Sequence, residues 1–265
     1  MSSPSPSDPV HPDAGKAARP AIRSAMVLAA GLGTRLRPLT DTMPKPLVPI
    51  SGKPMIDHVL DLLDEAGVTT AVVNVHHFAD RMEAHLSARA RPRIVISDER
   101  DGLMNSGGGL AKGLKLITDE IVLVMNADLF WVGEDPEAPS NLTRLAAFFD
   151  ETRMDMAMLV VPLERTTGHN GRHDFSRLDD GRLVRYREDL GEGVVYAGAF
   201  VLRRALFDDA PDEAFNLNLY FDRVIESGGL FGMVMDGEWI TVGTPDAIGA
   251  AEDTIARCAG LGKRA

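Results

Sequence analysis

Two glycines and three cations lie close together near the start of this acidic chain, directly after a short apolar run. They are Gly31, Gly33, Arg35, Arg37 and Lys45, and the run is MVLAA at positions 26–30. An unbroken apolar run of this length is typical of a buried parallel strand, and the glycines allow a tight turn with close backbone approach. Free backbone N–H groups beside fixed cations are suited to bind a polyphosphate.

A carboxylate follows a second predicted strand further along the chain. Asp128 comes shortly after the apolar run IVLVM at positions 121–125. Strand-like and helix-like segments alternate between the two runs, which predicts an α/β fold with a mostly parallel, doubly wound, Rossmann-like sheet and helices on both faces. Ligands of such sheets bind outside the carboxyl ends of the strands. We therefore expect the glycine turn and Asp128 to converge at that edge.

The second half of the chain predicts a smaller, β-rich lobe. The sequence DDG at positions 179–181 separates two short strand-like runs, which indicates a β-hairpin, and a longer apolar strand follows at 194–202. No linker or internal repeat separates the halves, so we expect one domain over residues 22–265. Residues 1–21 are rich in Pro, Ser and Ala, cannot bury enough apolar surface to fold, and are predicted to be a disordered extension.

Composition narrows the class of partner. The chain has 265 residues, 45% of them hydrophobic, and a formal net charge of -11, which argues against a nucleic-acid or membrane partner. Neither a membrane-spanning run nor a signal peptide is evident. A single cysteine, Cys258, excludes an intramolecular disulfide and fits a reducing compartment, so we expect a cytoplasmic protein. Cys258 follows the apolar spacing of the last predicted helix and is interpreted as a core residue, not a catalytic thiol.

The glycine turn also carries a family resemblance. GLGTRLRPLT at positions 31–40, followed by PKP at 44–46, resembles the signature of the sugar-1-phosphate nucleotidylyltransferases, and the similarity extends from about Ala25 to the last helix. Within the family, NSGGG at 105–109, GHNGRHDF at 168–175 and WITVGT at 239–244 are most similar to the bacterial N-acetylmuramate-1-phosphate uridylyltransferases of cell-wall recycling. The resemblance implies a nucleotide half at about 22–150 and a sugar-side half at about 151–265.

The resemblance implies that a sugar-1-phosphate oxygen attacks the α-phosphorus of a nucleoside triphosphate, here UTP, and that pyrophosphate leaves. This chemistry depends on in-line positioning and charge neutralisation. Arg35 would hold the leaving phosphates through its planar fork, Lys45 would neutralise the α-phosphate, and Asp128 would hold Mg²⁺, which prefers oxygen ligands. The expected partners are the two substrates, and the expected assembly is a monomer or a small homo-oligomer.

Further site residues are carried over from the resemblance. The nucleotide is expected to contact Ala29, Ala30, Gly31, Gly33, Thr34, Gly107 and Gly108. The sugar is expected to contact Glu188, Gly198, Asp174 and Asn218.

One departure from the family pattern affects the metal site. Where the uridylyltransferase pattern has a second metal-binding aspartate, this chain has Thr241, a neutral and poor Mg²⁺ ligand. Asp236 and Glu238 are nearby but differ from Thr241 by odd steps, so on a strand they would face the other way. Thr241 is therefore expected to contribute at most a water-mediated contact.

Other functions remain open at this point. A dinucleotide-binding fingerprint lacks its third glycine, since Leu36 occupies that position, and a Walker A loop lacks its Gly-Lys-Ser/Thr ending. A mannose-1-phosphate guanylyltransferase of the same fold is the nearest enzymatic alternative. A catalytically silent nucleotide- or sugar-binding protein is the alternative from another class.

Overall fold

The predicted alternation of strands and helices is present in the computed structural model, which describes residues 22–261. In chain order the strands are β1 (Ser24–Leu28), β2 (Pro49–Ile50), β3 (Lys53–Pro54), β4 (Thr70–Val75), β5 (Arg93–Asp98), β6 (Ile121–Asn126), β7 (Leu129–Val132), β8 (Met156–Val161), β9 (Thr166–Thr167), β10 (Phe175–Arg177), β11 (Leu183–Arg185), β12 (Glu192–Arg203), β13 (Leu230–Val234) and β14 (Glu238–Thr241). The predicted disordered extension over residues 1–21 lies outside the described residues.

The helices lie mostly between the strands. They are α1 (Met55–Glu65), α2 (Ala79–Ser87), α3 (Asn105–Leu114), α4 (Asn141–Phe148), α5 (Asn218–Glu226) and α6 (Asp246–Leu261). Within residues 22–261, none of them combines the length and the apolar character needed to cross a bilayer.

The central sheet has nine strands, and its path runs β11-β10-β12-β6-β1-β4-β5, with β8 and β13 beside β12. Strands β6, β1, β4 and β5 are parallel, so Met26 of β1 lies level with Val72 of β4 and Val124 of β6. The long strand β12 adds antiparallel to β6. The prediction of an α/β fold around a mostly parallel, doubly wound sheet is confirmed.

Side-chain alternation along β1 divides the interior into two cores. Ala25 and Val27 pack into the core that includes α1, α2 and α4, whereas Met26 packs into the core that includes α3 and α5. Helix α3 lies so close to the sheet that a Cβ atom at Gly113 would be 2.3 Å from the Met26 sulfur. Helices therefore cover both faces, and the carboxyl edge of the parallel strands stays available for ligands.

The second half contributes antiparallel structure. The predicted hairpin is confirmed, since β10 and β11 pair antiparallel with Phe175 opposite Arg185, and Gly181 in its turn has φ 86°. The pairing of β12 with β8 shifts register between Tyr196 and Phe200. In a separate three-stranded sheet, β7-β14-β9, the strand before the last helix, β14, pairs with β7, the strand that follows Asp128.

Candidate active site

The glycine turn after β1 is held in a single geometry. Gly33 has φ 64° and precedes the short 3-10 helix Thr34–Leu36, and its carbonyl accepts a hydrogen bond from the buried Thr40 hydroxyl at 2.8 Å. A Cβ atom at Gly33 would lie 2.8 Å from Lys45 Cβ, whereas one at Gly31 would have no other atom within 4 Å. The turn is therefore in close contact with Lys45 at Gly33 and has open space beside Gly31.

Lys45 and Asp128 meet at the carboxyl edge of the sheet, as the topology predicts. Lys45 Nζ lies 2.5 Å from Asp128 Oδ2. The lysine side chain is largely buried, whereas the aspartate, two residues beyond the end of β6, is about one-third exposed. The pair thus fixes the ammonium group while one face of the carboxylate remains accessible.

The three cations of the turn differ in their surroundings. Arg37 is exposed and forms an ion pair with Asp41 at 3.2 Å. Arg35 is exposed as well but has no hydrogen-bond or ion-pair partner among residues 22–261, and its guanidinium lies over the turn after β14, where a Cβ atom at Gly243 would be 3.3 Å from Nη1. Arg35 is therefore the arginine of the turn whose donors are available to an anion.

A divalent cation fits beside Asp128. The antiparallel pairing of β14 with β7 places Thr241 opposite Leu129, the residue after Asp128. No group of three His, Cys, Asp or Glu side chains within residues 22–261 forms a complete metal site. Since Mg²⁺ is commonly held by one or two carboxylates together with substrate phosphates, the partly exposed carboxylate of Asp128 is a compatible ligand.

Asp236 and Glu238 do not complete this set. Asp236 lies in the turn between β13 and β14, where its Oδ2 accepts a hydrogen bond from the Asp135 N–H at 2.8 Å. The Glu238 carboxylate lies 3.7 Å from Arg257 Nη2 of α6. Both carboxylates are engaged away from Asp128. The expectation that both would face away from Thr241 on a strand applies to Glu238 in β14 but not to Asp236, because Gly237, with φ 84°, forms a turn between them.

A buried polar chain that sequence reasoning missed positions the backbone after β1. The Ala29 N–H donates to Asn74 Oδ1 at 2.6 Å, and Asn74 Nδ2 donates to Glu99 Oε1 at 2.7 Å. Glu99, fully buried, accepts a further bond at Oε2 from the Met104 N–H at 3.1 Å. Polar residues at the carboxyl ends of otherwise apolar strands are the sequence signal that could have identified this chain. These hydrogen bonds connect the ends of β1, β4 and β5 to the start of α3.

The glycine-rich segment 105–109 forms the first turns of α3, not a loop. A Cβ atom at Gly107 would lie 2.3 Å from the Phe215 ring, and one at Gly108 would lie 2.4 Å from the Glu213 carbonyl oxygen. A Cβ atom at Gly109 would lie 2.7 Å from Asn74 Nδ2. Close packing therefore explains these glycines, and the contact of Gly107 and Gly108 with a nucleobase stays a prediction.

A polar cavity of about 290 Å³ opens near the end of β6. Its polar lining includes Asn126, Asp174, Arg185, Tyr196, Asn216 and Asn218. Asp174 Oδ2 accepts a hydrogen bond from the Tyr196 N–H at 2.9 Å, so the bulged part of β12 is fixed to the residue before β10. Two residues predicted for the sugar side, Asp174 and Asn218, are thus brought to one cavity beside Asp128.

Tyr196 presents an unusual hydroxyl in this cavity. The hydroxyl is buried and has no hydrogen-bond partner among residues 22–261. Burial, with the nearby charges of Asp128 and Asp174, raises the pKa of Tyr196 well above its usual value. The group is therefore a neutral donor, and buried hydroxyls are ordinarily paired, so a ligand hydroxyl is a suitable partner. Sequence reasoning did not identify Tyr196.

The other two residues predicted for the sugar side have different surroundings. Gly198 has φ 83° within the register shift of β12, and a Cβ atom there would lie 2.5 Å from Leu129 Cδ1. Glu188 is exposed on the connection between β11 and β12 and does not line the cavity. A sugar contact for either residue stays a prediction.

Cys258 is a partly buried packing residue. A Cβ atom at Gly133 would lie 3.1 Å from its sulfur, and burial raises the pKa of the thiol. A raised pKa disfavours the thiolate that a nucleophile requires, which agrees with the interpretation of Cys258 as structural.

A larger cavity, about 570 Å³ in volume, is lined by residues of α1 and α2 and of the segments that flank them. Its charged groups are largely paired with one another: Asp57 Oδ1 and Oδ2 each lie 3.0 Å from His85 Nε2, and Asp61 Oδ1 lies 2.6 Å from Arg89 Nη2. The smaller cavity, whose lining includes Leu28 and Asn126 at the carboxyl ends of β1 and β6, is therefore the candidate substrate site.

A glycine turn and a cavity at the carboxyl edge of a doubly wound sheet are the arrangement in which α/β proteins of this kind bind their ligands. Comparison with known proteins gives the family. The family model described as "Nucleotidyl transferase" matches residues 24–257. The chain belongs to the nucleotidyl transferase family and is an enzyme of that class, which confirms the resemblance found in its sequence.

Individual relatives agree with this assignment. The chain is 43% identical over 242 residues to the N-acetylmuramate alpha-1-phosphate uridylyltransferase of Caulobacter vibrioides, covering 89% of this chain and 98% of that protein. It is 32% identical over 225 residues to the protein of the same name from Neisseria meningitidis serogroup B, covering 83% and 93%. A solved structure, the inositol-1-phosphate CTP transferase from T. maritima, superposes with a TM-score of 0.70 at 16% identity and covers 90% of this chain and 97% of that one, which supports the fold.

Proposed function

We propose that this enzyme transfers the uridylyl group of UTP to N-acetylmuramate 1-phosphate and releases pyrophosphate. The observation that carries the choice of substrates is the likeness to the Caulobacter uridylyltransferase along almost the whole length of both chains. The observations that support the chemistry are the Lys45–Asp128 pair and Arg35, which has no hydrogen-bond or ion-pair partner among residues 22–261. A role in cell-wall recycling and a cytoplasmic location are part of the same proposal.

The reaction brings two anionic groups together, so its main requirement is positive charge in fixed positions. Asp128 uses one of the three donors of the Lys45 ammonium group, which leaves two for oxygens of the α-phosphate and the sugar phosphate. Arg35 would bind the departing pyrophosphate through its planar fork. The sugar-phosphate oxygen then attacks the α-phosphorus from the side opposite the leaving group.

Asp128 would hold Mg²⁺, with Thr241 reaching it at most through a water molecule. When bound, Mg²⁺ supplies positive charge that neutralises the phosphate oxygens during transfer. The largely buried Lys45 keeps the carboxylate in place, since their polar atoms are 2.5 Å apart.

The two substrates would occupy opposite sides of this centre. The backbone at Ala29, Ala30, Gly31, Gly33 and Thr34 would contact the nucleotide, because the open space at Gly31 allows close approach. The sugar would enter the cavity lined by Asp174 and Asn218. We propose that the active species is a monomer or a small homo-oligomer.

The test is pyrophosphate release measured as kcat/KM over a matrix of four nucleoside triphosphates and several sugar 1-phosphates, with Mg²⁺ present. The combination of UTP and N-acetylmuramate 1-phosphate is expected to give the highest value. A higher value for GTP with mannose 1-phosphate would make the protein a guanylyltransferase. No turnover with any pair, while UTP still binds, would make it a silent binding protein.

A further inference from the structure

Arg185, at the end of β11, is the cation of the candidate sugar cavity. Among the described residues that line the cavity, it alone carries a positive charge, and Asp174 carries a negative one. The phosphate end of a sugar 1-phosphate is already provided for by Lys45 and Arg35 outside this lining. A second cation at the sugar end therefore has no evident partner in a neutral sugar.

The guanidinium of Arg185 is fixed in place but not saturated. Its Nε donates to Asp222 Oδ1 at 2.7 Å, and its Nη2 donates to Asn218 Oδ1 at 3.0 Å and to the Asn218 carbonyl oxygen at 3.4 Å. The guanidinium carbon lies 5.2 Å from the centre of the Phe175 ring. Nη1 has no hydrogen-bond partner within residues 22–261. Two residues of α5 and an aromatic ring thus hold the group in one orientation and leave donors for a ligand.

The chemistry of the proposed substrate supplies an acceptor. N-Acetylmuramate carries a carboxylate on a lactyl ether, which N-acetylglucosamine lacks. A carboxylate entering a cavity that contains Asp174, in a chain with net charge -11, would be repelled without a local cation. The two N–H groups of Nη1, which have no partner among residues 22–261, can donate charge-assisted hydrogen bonds to a carboxylate.

We infer that Arg185 forms a carboxylate-binding subsite for the lactyl group of N-acetylmuramate 1-phosphate, an inference that rests on the proposed function. Arg185 then selects between sugars and takes no part in phosphate chemistry. Its ion pair with Asp222, which is about half exposed, orients the guanidinium. The subsite predicts discrimination against sugar 1-phosphates that lack a carboxylate.

The test compares Arg185→Gln and Arg185→Lys with wild type, using UTP and either N-acetylmuramate 1-phosphate or N-acetylglucosamine 1-phosphate. Arg182→Gln is the matched control, because Arg182 lies on the same hairpin, pairs with Asp180 at 2.7 Å and does not line the cavity. For each enzyme, kcat/KM is measured for both sugars, together with KM for UTP and Tm. The N-acetylglucosamine compound is also measured as an inhibitor, so its affinity is known even where turnover is slow.

Arg185→Gln is expected to lower kcat/KM for N-acetylmuramate 1-phosphate by roughly 10- to 150-fold, the range for loss of a charged hydrogen-bond partner. Values for the N-acetylglucosamine compound and KM for UTP should stay near wild type, Arg185→Lys should be intermediate, and Arg182→Gln should resemble wild type. Equal effects on both sugars, or no effect on either, would overturn the subsite while leaving the proposed function intact. Wild type that does not use N-acetylmuramate 1-phosphate would overturn the proposed function, and the subsite with it.

Discussion

Replacing Gly33 by alanine perturbs the proposed phosphate-binding turn where it contacts Lys45. The residue has φ 64°, where an L side chain costs roughly 1–2 kcal/mol. For a protein of this size, a decrease of that amount in the free energy of unfolding lowers Tm by about 2–8 °C. The new Cβ would also lie 2.8 Å from Lys45 Cβ, so the lysine must shift. Because a displacement of about 1 Å at a reacting centre can cost about a hundredfold in rate, we expect kcat to fall by that order.

Gly31→Ala is the matched control for this prediction. Its Cβ would have no other atom within 4 Å, and its backbone lies outside the left-handed region, so Tm should not change. If the nucleotide approaches here as proposed, KM for UTP should rise while kcat changes little. Both variants are measured by thermal denaturation and pyrophosphate release. A Gly33→Ala enzyme with wild-type Tm and wild-type kcat would refute the argument that this glycine sets the position of Lys45.

Three other predictions concern charge. Arg35→Ala should lower turnover at least a hundredfold, since a lost donor costs about 2.7–4 kcal/mol. Arg37→Ala should remain near wild type, because Arg37 is on the surface and already pairs with Asp41. Equal losses in the two variants would contradict the role assigned to Arg35. In a Mg²⁺ titration, Thr241→Asp should lower the concentration that gives half-maximal rate, and Asp128→Asn should nearly abolish turnover. An unchanged Mg²⁺ requirement in Thr241→Asp, or an active Asp128→Asn enzyme, would argue against this metal site. Burial lowers the pKa of His58, so the unfolded state binds the extra proton and stability should decrease as pH falls below about 6.5. The decrease in Tm between pH 7.5 and pH 5.5 should be smaller in His58→Gln, and an identical decrease would show that His58 does not contribute.

The sequence was most informative where a segment has few physical options. The apolar runs at 26–30 and 121–125 predict buried parallel strands, and they overlap β1 and β6. Carboxyl ends of parallel strands share one sheet edge, and Lys45 and Asp128 meet there. The turn at Gly181 was predictable because Asp-Asp-Gly between two strand-like runs indicates a hairpin, and glycine readily adopts the φ of 86° found there.

Tertiary packing decided the features that sequence reasoning missed. The glycines at 107–109 are poor helix formers, yet they lie in the first turns of α3. Only glycine fits at these positions, because the segment 213–215 and the Asn74–Glu99 pair approach too closely for a side chain. Arg185 could not be recognised from its neighbours in sequence, because the residues that orient it, Asn218 and Asp222, are 33 and 37 positions away. Local patterns carry no information on such contacts.

The central claim is that a sugar-phosphate oxygen attacks the α-phosphorus of UTP in this site. The most direct measurement uses N-acetylmuramate 1-phosphate labelled with ¹⁸O at its non-bridging phosphate oxygens, incubated with UTP and Mg²⁺, followed by mass spectrometry of both products. All of the label is expected in the UDP-sugar, and the pyrophosphate should be unlabelled. Label in the pyrophosphate or in free phosphate, or the absence of a UDP-sugar, would contradict the account.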